Sequence, residues 1–99
     1  MHVAVAHISL RVPESRSLKT RRQAARSLIQ RIRARFNVSV AQDAGADGNA
    51  WQSVTLAISC VGVSSDQTRS LIDDVVDFVT ETRPDLEVLD YQIEVMSGF

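Results

Sequence analysis

Lys19, Arg22, Arg26 and Arg33 follow one another at spacings of three, four and seven residues. On a helix those steps stack the four side chains along one flank. Cations in a row suit the binding of a polyanion, because guanidinium groups fork onto phosphate oxygens. The stretch around them, SRSLKTRRQAARSLIQRIRARF at 15–36, holds eight of the chain's eleven lysines and arginines and no acid. A solvated helix usually mixes its signs. Like charges at these spacings repel by about a few tenths of a kcal/mol per pair. The row therefore weakens its own helix, which favours a role outside the monomer. Arginine is also a good helix former, and a merely solvated face is the competing reading.

Other chemistry-bearing residues lead less far. Glu14, Ser15 and Ser17, with Arg11 and Lys19 nearby, sit where a strand feeds a helix, a place that can hold an anion. Without a glycine-rich cradle, "PES" is a turn and a cap, and no catalytic residue is assigned. Asp73, Asp77 and Glu81 fall on a convex outward helix face that offers a metal no cage. His2 and His7 have no cysteine to join them in a zinc set, and Cys60 falls on a core face as a packed thiol. "GADG" at 45–48 has the letters of a G-x-x-G phosphate clamp, but it joins strands instead of helices and its acids repel phosphate. No metal, cofactor or small-molecule substrate is expected. Trp51, after a polar loop at 42–50 that should be mobile, is either an anchor closing the core edge or a partner contact.

Ninety-nine residues, 44% apolar and 23% charged, predict one globular domain spanning 1–99. That length buries a core without help from disulfides. The single cysteine suits a reducing compartment. No apolar run nears the ~20 residues of a membrane span, and the first residues lack the cationic segment of a signal peptide. A cytoplasmic protein is expected. The net charge of −1 conceals a split: nine cations and one acid between Arg11 and Arg35, nine acids and two cations between Asp66 and Glu94. Such asymmetry points to a polyanionic partner or to self-association.

The elements that must position these residues follow from hydrophobic periodicity. "VAVAHISLRV" alternates as a strand, with Ala4, Ala6, Ile8, Leu10 and Val12 on one face. Leu18, Ala25, Leu28, Ile29, Ile32 and Phe36 recur at helical spacing, which predicts a helix over 18–35. "FNVSVA" alternates again, with Phe36, Val38 and Val40 together. "WQSVTLAISCVGV" is a third strand burying Val54, Leu56, Ile58 and Cys60. Ser64 and Gln67 make a capping box for a second helix, with Leu71, Ile72, Val75, Val76, Phe78 and Val79 on its apolar stripe. It ends near Thr82, ahead of Pro84. "LEVLDYQIEV" is a fourth strand with Leu89, Tyr91, Ile93 and Val95 on one side. The order βαββαβ predicts an α+β, ferredoxin-like fold: a four-stranded antiparallel sheet, strands one and three central, with two helices on one face.

"VPESRSLKTRR" at 12–22, "RIRARFNVSVAQ" at 31–42 and "WQSVTL" at 51–56 resemble the YlxP-like family of small bacterial proteins, a family of unknown function. The similarity runs in order over essentially the whole chain. It implies a ferredoxin-like fold. Genes of that family often lie beside genes for translation-initiation and ribosome-maturation factors, which implies a role near RNA. It brings no catalytic residues with it. Gln42 stands where the pattern usually has Glu, Arg21 where it has Lys, and Asn49 where an Asp is common.

A helical wheel sets Lys19, Arg22, Arg26 and Arg33 on one flank of the first helix, over an edge strand, and Arg31 and Arg35 on the other. The right-handed crossover turns Arg31 and Arg35 towards the second helix, and one of them is expected to pair with Asp74. The four remaining cations are the expected contact for structured RNA or a ribosomal subunit, held by its phosphate backbone. An RNA-recognition-motif mode is excluded because the open-face positions of strands one and three carry no aromatic. A homodimer is expected as well, through the open sheet face at Val3, Val5, Ala57 and Val61 with Trp51 as a further contact; the alternative function is that of a homo-oligomeric interaction module using that face or basic-to-acidic helix docking.

Overall fold

The computed structural model describes residues 1–99. Alternation makes β1 (His2–Arg11), with Ala4, Ala6, Ile8 and Leu10 buried and Val5, His7 and Arg11 exposed. The same period in β3 (Ser53–Gly62) buries Val54, Leu56, Ile58 and Cys60. These two strands pair antiparallel from His2↔Gly62 to Arg11↔Ser53. β2 (Ser39–Gln42) flanks β3, and β4 (Glu87–Met96) flanks β1, giving the antiparallel order β2-β3-β1-β4.

Helix α1 (Leu18–Arg35) opens at Ser17, whose hydroxyl accepts the Thr20 N–H at 3.1 Å. It buries Ala25, Leu28 and Ile32. Helix α3 (Ser65–Thr82) opens at Ser64, whose hydroxyl accepts the Gln67 N–H at 3.1 Å, and buries Ile72, Val75, Val76 and Val79. Both apolar stripes meet the inward rows of the strands in one cluster of 18 residues. Complete burial of its larger members is worth about 1.5–3 kcal/mol each. No helix is long and apolar enough to cross a membrane.

The segment 42–50 is built, contrary to the mobile loop expected. It forms a one-turn helix, α2 (Ala44–Asp47), so the βαββαβ order gains a third helix. The Asp43 carboxylate accepts the Ala46 N–H, and Gly48 leaves the turn with φ 56°, a region that glycine enters without strain. The buried Asp47 carboxylate accepts the Thr55 N–H at 2.8 Å and the Thr55 hydroxyl at 2.7 Å. Gln52 closes the far side: its amide donates to the Pro13 carbonyl at 3.1 Å, and its own carbonyl accepts the Val12 N–H at 2.7 Å. Asp47→Ala leaves the Thr55 N–H without an acceptor and is expected to cost about 1–2 kcal/mol. That lowers Tm by roughly 5–10 °C in a chain of this size. A thermal melt within a degree of wild type would show that the turn stands without Asp47.

Two strands also depart from expectation. Phe36 is the C-cap of α1, its N–H bonded to the Ile32 carbonyl at 2.9 Å. The helix claims the residue that alternation assigned to β2, which pairs only over Ser39–Gln42. In β4 the register shifts between Ser9 and Leu10, so Ser9 faces Asp90, Leu10 faces Val88, and Leu89 is the extra residue. A bulge reverses facing beyond it. Val88 takes the inward place and packs on the core, while Leu89 is 56% exposed.

Candidate functional site

Several cations of 15–36 are engaged within the chain. Arg21 lies at 4% exposure on the apolar stripe of α1, with Leu18, Ala25, Leu28 and Ile32. Its guanidinium donates to the carbonyls of Gly48 at 2.9 Å and Ala50 at 3.1 Å, tying α1 to the turn after α2. Arg35 sits over the Phe78 ring, 5.5 Å from its centroid, a cation–π contact worth about 0.5–1 kcal/mol at an exposed position. Arg33 donates to the Val40 carbonyl of the edge strand at 2.8 Å.

The expected pair of Arg31 or Arg35 with Asp74 is not made. The ion pairs are Arg11–Glu87 at 3.7 Å and Arg83–Asp85 at 2.9 Å. The physical reason is helix register. Phe36, just past α1, meets Phe78 edge to face at 5.4 Å. The end of α1 therefore lies beside the last third of α3, not beside its first turns, and Asp74 is passed over. The carboxyl of Asp85 is held below its ordinary range by the hydrogen bond from Arg83 first, with a smaller attraction from Arg31.

Lys19, Arg22, Arg26 and Arg33 are all exposed, and none makes an ion pair. The structure brings three of them together. Arg22, Arg26 and Arg33 line a shallow groove of about 370 Å³ between α1 and the edge strand, with Ile29, Gln30, Gln42 and Ala44 completing it. Lys19 stands one turn before Arg22, outside the lining. Helix α3 has no part in this groove, and no carboxylate lines it. Its polar lining is three guanidinium groups, which only donate, and two neutral side-chain amides, beside the apolar Ile29 and Ala44.

Sequence reasoning passed over Gln42 as a site residue. It ends β2 opposite Leu56, half-buried, with its Nε2 atom buried and without a hydrogen-bond partner. Only the packing of α1 on the edge strand reveals it. Arg21 did carry a signal, since a cation on the stripe of Leu18, Ala25, Leu28 and Ile32 must find buried acceptors.

The residues expected to meet a protein partner form two separate places. Val3, Val5, Ala57 and Val61 share the open sheet face; Val61 is 64% exposed, and Val3 lies directly across from it. Trp51 does not close the core edge. It is 55% exposed beside Arg11, Ser53 and Leu89, at the opposite end of β1, roughly 25 Å from Val3 by strand rise. Cys60 is buried and its thiol titrates above its ordinary range, chiefly through burial.

No curated protein matches this chain. Among solved structures, it is similar to the de novo designed protein Foldit4, at 11% identity and a TM-score of 0.52, with the whole of both chains covered. It is also similar to LFR1 1, a de novo designed protein with a ferredoxin fold, at 12% identity and a TM-score of 0.50, covering 97% of this chain and 83% of that one. At such identities these likenesses concern the fold alone. Residues 3–93 match the model of a family described as a protein of unknown function, DUF503. That match takes in every strand and helix described above except His2 at the start of β1 and the last three residues of β4, and the chain belongs to the DUF503 family.

Proposed function

We propose that this domain is a non-enzymatic RNA-binding factor that holds the phosphate backbone of structured RNA on the α1 flank. The observation that carries the reading is the groove between α1 and β2. Three guanidinium groups converge there, and neither they nor Lys19 meets a carboxylate in the chain. Exposed cations that face no carboxylate can displace the counterions of a polyanion, which is the main source of backbone affinity. The open sheet face, without an aromatic on β1 or β3, offers no stacking platform, so the contact is to phosphate more than to bases. The YlxP-like resemblance of 12–22, 31–42 and 51–56, with its implied place near translation and ribosome maturation, supports the same reading. Ribosomal RNA is the kind of partner it favours.

The test is fluorescence anisotropy with a labelled RNA hairpin of about 20 nucleotides, titrated at several salt concentrations. Four phosphate contacts predict that log K falls with log salt at a slope of roughly −3 to −4. No binding at about 50 mM salt would overturn the proposal.

A further inference from the structure

We infer that Trp51 is a stacking platform for one unpaired base of the bound RNA, next to the basic flank of α1. This rests on the RNA-binding reading and goes beyond it, since that reading assigns contacts to phosphate. The observation behind it is an exposed indole on a fixed turn. Trp51 is 55% exposed, although tryptophan is highly buried on average. Its chain neighbours are tied on both sides. The Ala50 carbonyl accepts the Arg21 guanidinium at 3.1 Å and the Ser53 N–H at 3.2 Å. Gln52 bonds Pro13 through its side chain and Val12 through its carbonyl. A turn held at both flanking residues keeps the ring out in water, so little chain freedom is lost when a ligand covers it.

The indole shares a shallow cleft of about 460 Å³ with Arg11, Asn49, Ser53 and Leu89. Leu89 is the extra residue of the β4 bulge and is 56% exposed. Indole and leucine offer apolar surface to a planar base, and stacking accepts any base because each has a π-face. The Asn49 amide, the Ser53 hydroxyl and the Arg11 guanidinium supply hydrogen-bonding groups for the base edge. Arg11 lies 3.7 Å from Glu87, so its charge is already matched, and it serves as a planar donor more than as a counterion.

The cleft is continuous with the basic flank. Ala44 lines the groove with Arg22, Arg26 and Arg33, and Ala50 lines the cleft. Ala50 is six residues beyond Ala44, at most roughly 20 Å of chain, and the helical turn of α2 shortens that path. Arg21, next to Arg22 on α1, reaches into the same turn at Gly48 and Ala50. Both carboxylates along the way are engaged: Asp43 accepts the Ala46 N–H, and Asp47 is buried against Thr55. RNA held by its phosphates on α1 therefore passes within reach of the indole. A protein partner would also use a tryptophan, but the neighbouring row of cations favours a nucleotide.

Trp51 is the chain's one tryptophan, so its fluorescence reports this cleft alone. Two RNA hairpins are compared, alike except that the loop nucleotides carry bases in one and are abasic in the other. The base-bearing hairpin is expected to quench Trp51 emission to saturation, over the concentrations at which anisotropy reports binding. The abasic hairpin should bind about tenfold more weakly and leave the emission unchanged. Trp51→Ala should lose the same factor towards the base-bearing hairpin and nothing towards the abasic one. Its salt slope should not change, because no phosphate contact is lost. Trp51→Phe keeps a ring and should recover part of the affinity.

Equal affinity for both hairpins with the emission unmoved overturns the base site and leaves the phosphate reading standing. Binding of neither overturns both. Quenching that persists undiminished at physiological salt when Arg22→Glu and Arg26→Glu are combined upholds the base site and overturns its link to the groove. A shift of Trp51 emission with protein concentration alone, without RNA, assigns the indole to a contact with a second copy of the chain and overturns the inference.

Discussion

Reversing Arg22 and Arg26 together to glutamate is expected to abolish RNA binding at physiological salt while leaving the fold as stable as before. Losing two phosphate contacts flattens the dependence of log K on log salt by about 1.8 units, which at about 0.1 M salt is roughly a sixtyfold loss of affinity. Reversed charges then repel the backbone and add to that loss. Stability should hold because both side chains are exposed and neither makes an ion pair. The substitution also relieves the like-charge repulsion between Lys19, Arg22 and Arg26. The control is Arg21→Glu, one residue away. Arg21 is buried and bonds two carbonyls, so its reversal should unfold the chain instead of acting on RNA. A double variant at 22 and 26 that melts like wild type and binds RNA with undiminished affinity would remove the basis of the proposed function.

Much of this arrangement was legible in the residues, and the failures have identifiable causes. The alternation of Ala4 to Leu10 and of Val54 to Cys60 marked the central strands because each buries one face only, where period two is unambiguous. The α1 flank was legible for the same reason: Leu18, Ala25 and Ile32 fix the inward direction, so the arginines on either side are placed by rotation alone. Translation along the helix axis is another matter. Periodicity gives the phase of a helix but not its offset against a neighbour, and the Phe36–Phe78 contact sets that offset. Hence the expected partner of Arg31 and Arg35 was wrong although their flank was right. Leu89 was misplaced because the bulge beside Ser9 leaves no mark in the pattern of β4. The 42–50 turn is hidden from composition: polar residues there read as solvated, whereas Asp43, Asp47 and Gln52 each bond backbone.

Gly62→Ala is expected to be the most damaging of the chain's four glycine-to-alanine changes, the only one whose Cβ would overlap a neighbouring atom. Gly62 ends β3 across from His2, and α3 begins three residues later. A Cβ at position 62 would overlap Thr68 Oγ1 and lie 3.3 Å from Thr68 Cβ. The hydroxyl cannot swing away freely, because it donates to the Ser64 carbonyl at 2.6 Å and the residue is 2% exposed. The strain must therefore move the first turns of α3, and with them the stripe of Ile72, Val75, Val76 and Val79. Overpacking of this kind costs about 2–3 kcal/mol, which lowers Tm by roughly 10–20 °C. Thr68→Ala alone should cost about 1 kcal/mol through its lost hydrogen bond. In the double variant the overlap disappears and only the 3.3 Å contact with residue 68 Cβ remains, so it should be more stable than the sum of the two losses by at least about 1 kcal/mol. Strict additivity in urea melts would show that the close approach of β3 to α3 is not what requires glycine at 62. The contact lies at the Val61 end of the sheet, away from Gln42, so the folded fraction of each variant should bind RNA as wild type does, which separates the scaffold from the groove it supports.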